Sequence, residues 1–252
     1  MPADRPGQRP RQDITRPSAA RTVVVWDALR DVLGDLPGAD RTAASVVDIG
    51  GGTGGFAVRV AELGHRVTVI DPSPDALAIL ARRAEESGVA DLVSARQGDL
   101  DSLLDLVPPG SADVLLCHGV LEIVDDPATA LRTLAQALRP GGVLSLLVNQ
   151  RHAAVVARAM AGHFVQARTL LDGSGDAPRR FTAEEVTALL AGAGFDTTAL
   201  HGVRVFVDLV PSSLVELEPG SAGALLELEQ VVATRPEYLP LATQLHALAS
   251  RS

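Results

Sequence analysis

Glycines that follow a short apolar run give this sequence its clearest chemical signal. The run at residues 45–49 leads into Gly50, Gly51 and Gly52, and two further glycines follow Thr53. Successive glycines let the backbone turn sharply and approach a ligand with no Cβ in the way. A helix predicted just after this loop would add amide groups that favour polar or anionic ligands. The loop therefore predicts a ligand-binding turn, although a tight strand-to-helix turn without a ligand could use the same residues.

Two acids flank this loop and narrow the choice of ligand. Asp71 ends the next apolar segment, roughly 20 residues beyond the loop, where an acid accepts hydrogen bonds from both ribose hydroxyls of a nucleoside. Asp48 lies just before Gly50, and a carboxylate there repels the pyrophosphate of a nicotinamide dinucleotide. It suits a cofactor with a cationic amine or sulfonium. We therefore predict S-adenosylmethionine rather than NAD, with S-adenosylhomocysteine as the product.

The elements that would position these residues alternate along the chain. Strands are predicted at 45–49, 65–70, 92–97, 112–117, 143–148, within 197–209, and at 241–249. Helices are predicted at 18–33, 55–63, 72–86, 127–138, 182–193 and 221–234, and residues 152–171 form an inserted helical segment. Thr182 followed by Glu185 is a capping box. The alternation of strands and helices predicts an α/β fold with a parallel, doubly wound sheet and a helical insertion after the fifth strand.

Composition sets limits on the organisation of the 252-residue chain. We expect a disordered tail over residues 1–17 and a single domain over 18–252, with a helical substrate-side insertion at 152–181. The net charge of −9 gives no support to non-specific nucleic-acid binding. The distribution is uneven, however, because residues 150–171 carry arginines and no acid, and the tail is rich in arginine.

Other chemistries receive little support from the sequence. Cys117 is the one cysteine, so an intrachain disulfide is excluded and a reducing cytoplasm is favoured. Its apolar neighbours favour a small core residue over a nucleophile. The six histidines are scattered without metal-ligand spacing, so we expect no metal. We expect no membrane association, because no apolar run approaches the ~20 residues of a span and the N-terminus lacks a signal peptide.

Four motifs in order make the sequence resemble the class I methyltransferases: the run from Asp48 to Gly54, Asp71, Gly98-Asp99, and residues 139–142. The resemblance implies a Rossmann-like sheet of seven strands, mostly parallel with an antiparallel last strand. In that family an acid after the third strand reaches the adenine amino group. Asp99 matches it, with Leu100 supplying the neighbouring amide, although an ordinary loop aspartate or helix cap would look the same.

The resemblance narrows further to the bacterial tRNA wobble-uridine methyltransferases. The segments that carry it are Cys117–Glu122, Leu144–Leu147, Ala161–Phe164, Gly202–Phe206 and Leu225–Glu229. The similarity runs from about Arg21 to near the C-terminus. It implies a tRNA anticodon loop as partner, and 5-carboxymethoxyuridine or 5-hydroxyuridine as the methyl acceptor.

The same resemblance assigns roles to residues around the cofactor. Arg21 matches an arginine that holds the cofactor carboxylate, as a bidentate guanidinium can, although it could belong to the basic tail. His118 matches a cofactor contact facing the methyl-transfer centre, although a hydrogen-bonded structural histidine fits equally. The implied cofactor-binding residues are Arg21, Asp48, Gly50, Gly51, Gly52, Asp71, Pro72, Gly98, Asp99, Leu100 and His118.

On the acceptor side the candidates are Asn149, His152, Arg179 and Arg204. Arg204 interrupts an apolar run, so strand alternation would point it away from the face of Val203. A salt bridge to Glu227 or Glu229 is the alternative. Arg204 and His118 are the candidate catalytic residues, because a 5-hydroxyl acceptor would need its proton removed or its oxyanion stabilised. Residues 149–151 replace a more aromatic stretch of the family, which leaves the 5-substituent open.

Two other classes of function remain open at this point. A small-molecule O- or N-methyltransferase would suit the acidic balance and the aliphatic insertion. A cofactor-binding partner subunit without activity of its own is the other class, and the complete glycine loop with its acids argues against it. The sequence does not predict the oligomeric state.

Overall fold

The computed structural model of the protein describes residues 17–35, 43–173, 178–215 and 219–252. The predicted tail lies outside the described residues, apart from Pro17, which begins helix α1. The helices are α1 (Pro17–Gly34), α2 (Ala57–Glu62), α3 (Pro74–Glu86), α4 (Leu103–Leu106), α5 (Pro127–Ala137), α6 (Arg151–Met160), α7 (Phe164–Leu171), α8 (Ala183–Gly192), α9 (Ser212–Val215) and α10 (Ser221–Val232). Within this part of the chain, no helix is long and apolar enough to cross a membrane.

The strands are β1 (Ser45–Ile49), β2 (Arg66–Asp71), β3 (Val93–Gln97), β4 (Ala112–His118), β5 (Leu138–Asn149), β6 (Phe195–Val203) and β7 (Gln244–Arg251). They form one seven-stranded sheet in the order β3-β2-β1-β4-β5-β7-β6. The pairs among β1 to β5 are parallel, and β7 is antiparallel to both β5 and β6. The predicted Rossmann-like sheet, with its antiparallel last strand, is confirmed.

Helices cover both faces of this sheet, which explains its apolar central strands. Residues 112–117 of β4 are all buried. Val114 and Leu116 pack toward α2 and α3, whereas Leu115 and Cys117 pack toward α5 and α8. Helix α1 lies on the first of these faces, where its Val25 meets Leu147. Alternation along β4 therefore builds two cores from one strand.

Side-chain caps fix where several helices begin. Ser73 caps α3 and Asp126 caps α5, each ahead of a proline in the first turn. Thr182 and Glu185 form the predicted capping box of α8. Gln150 caps α6 through a bond from the Ala153 amide at 3.1 Å, so the insertion after β5 begins one residue earlier than predicted.

Other boundaries differ from the sequence predictions for local reasons. The predicted insertion contains two helices, α6 and α7, joined at Gly162, whose φ is +77°. Strand β6 ends at Val203, so the strand predicted within 197–209 does not reach Arg204. Arg204 has a positive φ of 61°, a left-handed conformation that is uncommon outside glycine, and the chain leaves the sheet there. Strand β7 begins at Gln244, because a 3₁₀ turn occupies Pro236–Leu241.

One edge of the sheet collects the predicted site residues, and we call it the carboxyl edge. Strands β1 to β6 all end there, and the antiparallel β7 begins there. In sheet order, the residues at this edge are Gly98, Asp71, Gly50, His118, Asn149, Gln244 and Arg204. The strand order reverses between β1 and β4, which is where open α/β sheets bind ligands.

Candidate active site

The carboxyl edge divides at His118 into two halves. The cofactor half comprises the ends of β3, β2, β1 and β4, and the acceptor half comprises the edge formed by β5, β7 and β6 together with α6 and α7. The predicted cofactor residues between Asp48 and Leu100 fall on the first half. The predicted acceptor residues Asn149 and Arg204 fall on the second.

The glycine loop is tightly packed at Gly51 and has left-handed backbone at Gly50 and Gly52. A Cβ on Gly51 would come within 2.5 Å of Asp48 Oδ2 and 2.8 Å of Val69 Cγ1. Gly50 and Gly52 have φ angles of +69° and +55°, which L-residues with side chains rarely adopt. The Gly50 amide donates to the Ile70 carbonyl at 2.8 Å, which ties the loop to β2. The loop therefore leaves backbone without side chains beside the point between β1 and β4 where the strand order reverses.

Asp71 is held in place by the two loops that it joins. Its Oδ2 accepts a hydrogen bond from the Gly52 amide at 2.9 Å, and its Oδ1 accepts one from the Ser73 amide at 2.9 Å. The side chain is buried at the end of β2. Pro72 lies between these contacts, and its carbonyl accepts from Gln97 Nε2 at 3.3 Å. Asp71 thus has a fixed position beside the glycine loop.

Asp99 stands at the end of β3 in a turn closed by Ser102. The Ser102 hydroxyl donates to Asp99 Oδ1 at 2.9 Å, and the Ser102 amide donates to it at 3.1 Å. These bonds lower the pKa of the exposed Asp99 carboxyl. Gly98 is tightly packed, because a Cβ would come within 2.6 Å of Leu106 Cδ1 and 2.7 Å of Ser102 Oγ, and those side chains would have to move. The turn places Asp99 next to Leu100, whose side chain enters the core.

The residues of this half fit S-adenosylmethionine. Asp48, Asp71 and Asp99 stand in or just after the three neighbouring strands β1, β2 and β3. Carboxylates disfavour a pyrophosphate and attract a cofactor with sulfonium and ammonium charges, whose ribose hydroxyls are hydrogen-bond donors. The glycine loop supplies space against the backbone where a Cβ would intrude. Asp71, Asp99 and the loop would therefore hold the cofactor.

His118 stands where the two halves meet. It is the last residue of β4, and its predecessor Cys117 pairs with Ile49, directly before the glycine loop. The Phe56 ring, from the same loop, meets the imidazole edge-on with centroids 5.1 Å apart. Nε2 of His118 is hydrogen-bonded to Ser145 Oγ at 2.9 Å. His118 is therefore a hydrogen-bonded histidine at the predicted methyl-transfer position, and its contact with the cofactor stays a prediction.

Asn149 and His152 flank the start of the insertion. Asn149 ends β5, pairs with Gln244, and accepts a 3.4 Å hydrogen bond from the Gln244 amide group. The backbone N–H of Asn149 donates to Glu122 Oε1 at 2.7 Å, so the loop after β4 supports this position. His152 lies in the first turn of α6 with an exposed side chain.

Arg204 has a different environment from the one its sequence predicts. Its Nη2 donates to Asp208 Oδ1 at 2.7 Å, so the alternative salt bridge to Glu227 or Glu229 is wrong. Asp208 Oδ2 in turn accepts from the Thr243 hydroxyl at 2.7 Å. Arg204 is therefore anchored to the segment that leads into β7.

The turn that contains Arg204 is built by a buried carboxylate. Glu229 on α10 is fully buried and accepts from the amides of Val205, Phe206 and Val207, at 2.7 to 2.8 Å. These bonds hold the segment after Arg204 away from the sheet ladder. Glu229 thus shapes the backbone rather than pairing with the arginine.

The two predicted catalytic residues are not neighbours. Strands β5 and β7 lie between β4, which carries His118, and β6, which leads into Arg204. At about 4.8 Å per strand, roughly 14 Å of sheet separates the two positions. They can therefore meet different parts of one large acceptor, but not the same atom from their backbone positions.

Arg179 lies away from Arg204, in the segment before α8, and it contacts the loop after β4. Its guanidinium donates to the carbonyls of Val124 at 3.1 Å and Asp125 at 3.4 Å. A cavity of about 620 Å³ opens beside it, between α5 and α8, lined by Arg151 and Arg180 among others. Burial, with Arg158 nearby, lowers the pKa of Arg180. Arg179 therefore belongs to a basic cavity wall rather than to the β6 end of the site.

Arg21 lies in α1, but its side chain is outside what the structure describes. The helix packs over β6 and α10. The predicted bond between Arg21 and the cofactor carboxylate remains a prediction.

Sequence reasoning missed two residues on the strands of the acceptor half, Ser145 and His246, and it gave Glu229 of α10 the wrong partner. Ser145 and His246 are fully buried, and their side chains are hydrogen-bonded to each other at 2.8 Å. Each has an apolar residue directly before and after it in its strand. Because buried polar groups need partners, an isolated polar residue in an apolar strand was the signal available.

Cys117 is buried in the apolar core, as its neighbours predicted. Burial, with Glu122 and Asp48 nearby, raises the pKa of its thiol. A thiol that stays protonated is a poor nucleophile. Across the described residues, no group of three or more histidine, cysteine or acidic side chains could hold a metal ion.

Comparison with known proteins identifies the family of this chain. Residues 47–146 match the family described as methyltransferase domain. The chain is 34% identical to the tRNA 5-carboxymethoxyuridine methyltransferase of Escherichia coli (strain K12), over 92% of this chain and 88% of that protein. It is 34% identical to the ubiquinone biosynthesis O-methyltransferase of Xanthomonas euvesicatoria pv. vesicatoria (strain 85-10), over 64% of this chain and 66% of that protein.

The fold is shared with solved methyltransferases. An S-adenosylmethionine dependent methyltransferase from Mesorhizobium loti aligns with a TM-score of 0.61 and 22% identity, over 94% of this chain and 100% of that one. The similarity to the Escherichia coli protein covers far more of this chain than the match to the methyltransferase domain at residues 47–146. This chain therefore belongs to the family of the tRNA 5-carboxymethoxyuridine methyltransferases, and S-adenosylmethionine is its methyl donor.

Proposed function

We propose that this enzyme methylates the 5-oxy substituent of the wobble uridine in tRNA, with the carboxylate of 5-carboxymethoxyuridine as the acceptor. The observation that carries the proposal is the division of the carboxyl edge at His118. Carboxylates and bare glycine backbone line one half, and an anchored arginine with amide side chains lines the other. The first suits a cationic cofactor, and the second suits an anionic acceptor.

The chemistry needs alignment more than acid–base work. The bound cofactor supplies a sulfonium methyl group that is already electrophilic, so in-line displacement depends on how the acceptor oxygen is held. A carboxylate acceptor has no proton to lose. Asn149, on the strand next to β4, would supply a hydrogen bond to it together with Gln244, and Arg204 would hold a more distant part of the tRNA. A 5-hydroxyl acceptor would instead need its proton removed, and His118 would be the base.

The helices α6 and α7 fit an unpaired stretch of RNA. Met160, Phe164 and Val165 expose 72%, 71% and 81% of their surface. Arg158 and Arg168 are exposed on the same two helices. Splayed bases stack on aromatic and apolar side chains, and arginines contact phosphates. This local surface reconciles tRNA binding with a net charge of −9. The proposal includes the anticodon loop as the bound segment and the cytoplasm as the compartment.

The test is methyl transfer to tRNA that lacks this modification. We expect label from S-adenosylmethionine in bulk tRNA, and mass spectrometry of the digested nucleosides should find it on 5-carboxymethoxyuridine. Label on 5-hydroxyuridine instead would correct the acceptor. A complete absence of label in tRNA would contradict the proposal.

Arg204→Ala tests the acceptor half separately. We expect kcat/KM for tRNA to fall by about tenfold to a hundredfold, the range for losing a charge-assisted hydrogen bond. Calorimetry should find S-adenosylhomocysteine binding unchanged. Arg132→Ala is the matched control, since Arg132 is exposed on α5 and bonds Thr129 at 2.8 Å. If Arg204→Ala and Arg132→Ala behave alike, Arg204 is a structural residue.

A second candidate is a small-molecule O-methyltransferase. The cavity of about 620 Å³ beside Arg151 favours it, because drug-sized ligands occupy cavities of this size. The match to the ubiquinone biosynthesis enzyme points the same way. Transfer of label to a quinol fraction, with none to tRNA, would select this function.

A further inference from the structure

The segment just before α8 continues the sheet where β4 has ended. The Leu147 carbonyl of β5 accepts a hydrogen bond from the Gly119 N–H at 2.8 Å. The Asn149 carbonyl, two residues further along β5, accepts one from the Phe181 N–H at 2.9 Å. Alternate carbonyls of a strand point to the same side, so both donors lie on the β4 side of β5. Phe181 therefore lies in line with β4, although it comes from a distant part of the chain.

This register gives Arg180 a position close to His118. Phe181 forms a parallel bridge with Gln150, so the residue before it, Arg180, lies opposite Asn149. His118 pairs with the residue of β5 that is two before Asn149. Arg180 therefore lies two residues beyond His118 along the same line, which is roughly 7 Å at the rise of a strand.

The side chain of Arg180 lies on the same face of the sheet as His118. Phe181 is buried in the core that α5 and α8 cover, so its neighbour Arg180 points to the opposite face. On that face Leu147, the partner of His118, packs against α1. Paired residues of neighbouring strands share a face, so His118, Asn149 and Arg180 do so at the carboxyl edge.

The Arg180 guanidinium has no protein acceptor, in contrast to the arginines around it. Arg179 donates to two carbonyls of the loop after β4, and Arg151 forms an ion pair with Glu185 at 2.8 Å. Arg180 is half-buried, yet to the described residues it forms neither a side-chain hydrogen bond nor an ion pair. A guanidinium has five N–H donors, and burying them without acceptors is costly. Arg180 is therefore available to an anionic ligand.

The charges around Arg180 also favour an anion. Burial and the nearby Arg158 guanidinium lower the pKa of Arg180, and Glu122 opposes this shift. Glu122 already accepts the backbone N–H of Asn149 at 2.7 Å. Two guanidinium groups thus face one carboxylate, which leaves a net positive charge at the start of the acceptor half. A bound anion would reduce the repulsion between Arg158 and Arg180.

We propose that Arg180 is a specificity-determining residue, which binds the carboxylate of the methyl acceptor beside His118. The identity of that acceptor rests on the proposed function. A guanidinium binds a carboxylate through two parallel hydrogen bonds, and this geometry excludes a neutral ester from the same pairing. In the reaction a carboxylate oxygen bonds the methyl carbon, and the electron pair of the broken S–CH₃ bond stays on sulfur. The ester product is neutral, so Arg180 holds the acid more tightly than the product.

The test compares two forms of one tRNA, with 5-carboxymethoxyuridine or with its methyl ester at the wobble position. The enzyme is saturated with S-adenosylhomocysteine, and Kd is measured for each form. Wild type should bind the acid about tenfold or more tightly than the ester, and Arg180→Gln should abolish this preference. Arg180→Lys keeps a charge beside Glu122 but lacks the planar fork, so it should keep only part of the preference. Arg132→Gln, an exposed site on α5, is the control and should keep all of it.

The ratio of the two Kd values separates carboxylate binding from other roles of Arg180. A contact with a tRNA phosphate, or a structural role beside Glu122, would weaken the binding of acid and ester alike. Equal losses in Arg180→Gln would therefore overturn the proposal, as would a full preference in Arg180→Lys or none in wild type.

A small probe separates this proposal from the proposed function. If wild type binds neither tRNA, the proposed function fails, and phenoxyacetate then tests the carboxylate site alone. In NMR titrations of the S-adenosylhomocysteine complex, wild type should bind phenoxyacetate but not its methyl ester, and Arg180→Gln should bind neither. Equal binding of phenoxyacetate by wild type and Arg180→Gln, or no binding by wild type, would contradict the assignment of Arg180.

Discussion

The two halves of the carboxyl edge are held in shape by contacts that differ in sequence separation. In the cofactor half, Asp71 is fixed by amides 19 and 2 residues away in sequence, and Asp99 by a serine 3 residues away. In the acceptor half, Ser145 meets His246 across 101 residues, and Gln150 meets the Leu239 carbonyl across 89. The first kind of contact is a local motif, whereas the second exists only once the sheet has formed. The cofactor half should therefore tolerate damage elsewhere in the molecule better than the acceptor half does.

Glu229→Gln should have the largest effect, because it removes a long-range anchor of the acceptor half. The Glu229 carboxylate is fully buried and accepts from three consecutive amides. A glutamine would keep the shape but turn an NH₂ group toward amide donors. We expect the free energy of unfolding to fall by about 3 kcal/mol or more, in the range for disrupting buried charge-assisted bonds. Urea unfolding measures it.

Glu227→Gln on the same helix is the control, since the Glu227 side chain is exposed and its loss should change stability by less than about 0.5 kcal/mol. Binding of S-adenosylhomocysteine to folded Glu229→Gln should persist, because no contact of the cofactor half depends on that carboxylate. If binding fails while the sheet stays folded, the two halves are not independent.

Gly51→Ala tests the other half, with an effect on binding rather than on folding. The added Cβ would come within 2.5 Å of Asp48 Oδ2 and 2.8 Å of Val69, both in the buried interior. Overpacking of this kind costs about 1 to 3 kcal/mol. We expect the Kd for S-adenosylhomocysteine to rise about tenfold to a hundredfold. Gly55→Ala is the matched control, because a Cβ there meets nothing within 4 Å. Equal affinities for the two variants would show that the loop does not contact the cofactor.

The same difference in sequence separation explains which features could be predicted from the sequence. The strand–helix order, the glycine loop, Asp71 at the end of β2 and the capping box at Thr182 are local patterns, and each was found where predicted. Arg204 was predicted within a strand, but it follows β6 in a left-handed conformation, and the next residue, Val205, donates its amide to Glu229 of α10, 24 residues away in sequence. The insertion was predicted as helical, but its division into α6 and α7 and its basic cavity depend on tertiary contacts such as Arg151–Glu185.

The smallest expected effect is a pH dependence confined to the acceptor half. Burial, with His118 and His201 nearby, keeps the pKa of His246 well below the unfolded value of about 6.5. Below about pH 6.5 this histidine is protonated in the unfolded chain but stays neutral in the folded chain. The free energy of unfolding therefore falls as the pH falls. For this group the slope is about 1.4 kcal/mol per pH unit, from about 6.5 down toward the folded pKa. Above that window the group contributes no pH dependence, because the ring is neutral in both states.

His246→Gln should remove that slope. The variant should be less stable than wild type near neutral pH, where Ser145 loses its imidazole partner. The difference in the free energy of unfolding between the variant and the wild type should then narrow by about 1.4 kcal/mol over each pH unit below about 6.5. This is because only the wild type loses stability by keeping a histidine unprotonated at position 246. Thr198→Val changes a hydroxyl on the neighbouring strand and no titratable group, so its gap to wild type should stay constant over the same range. A constant gap for His246→Gln as well would mean that the buried histidine titrates in the folded state as it does in the unfolded one.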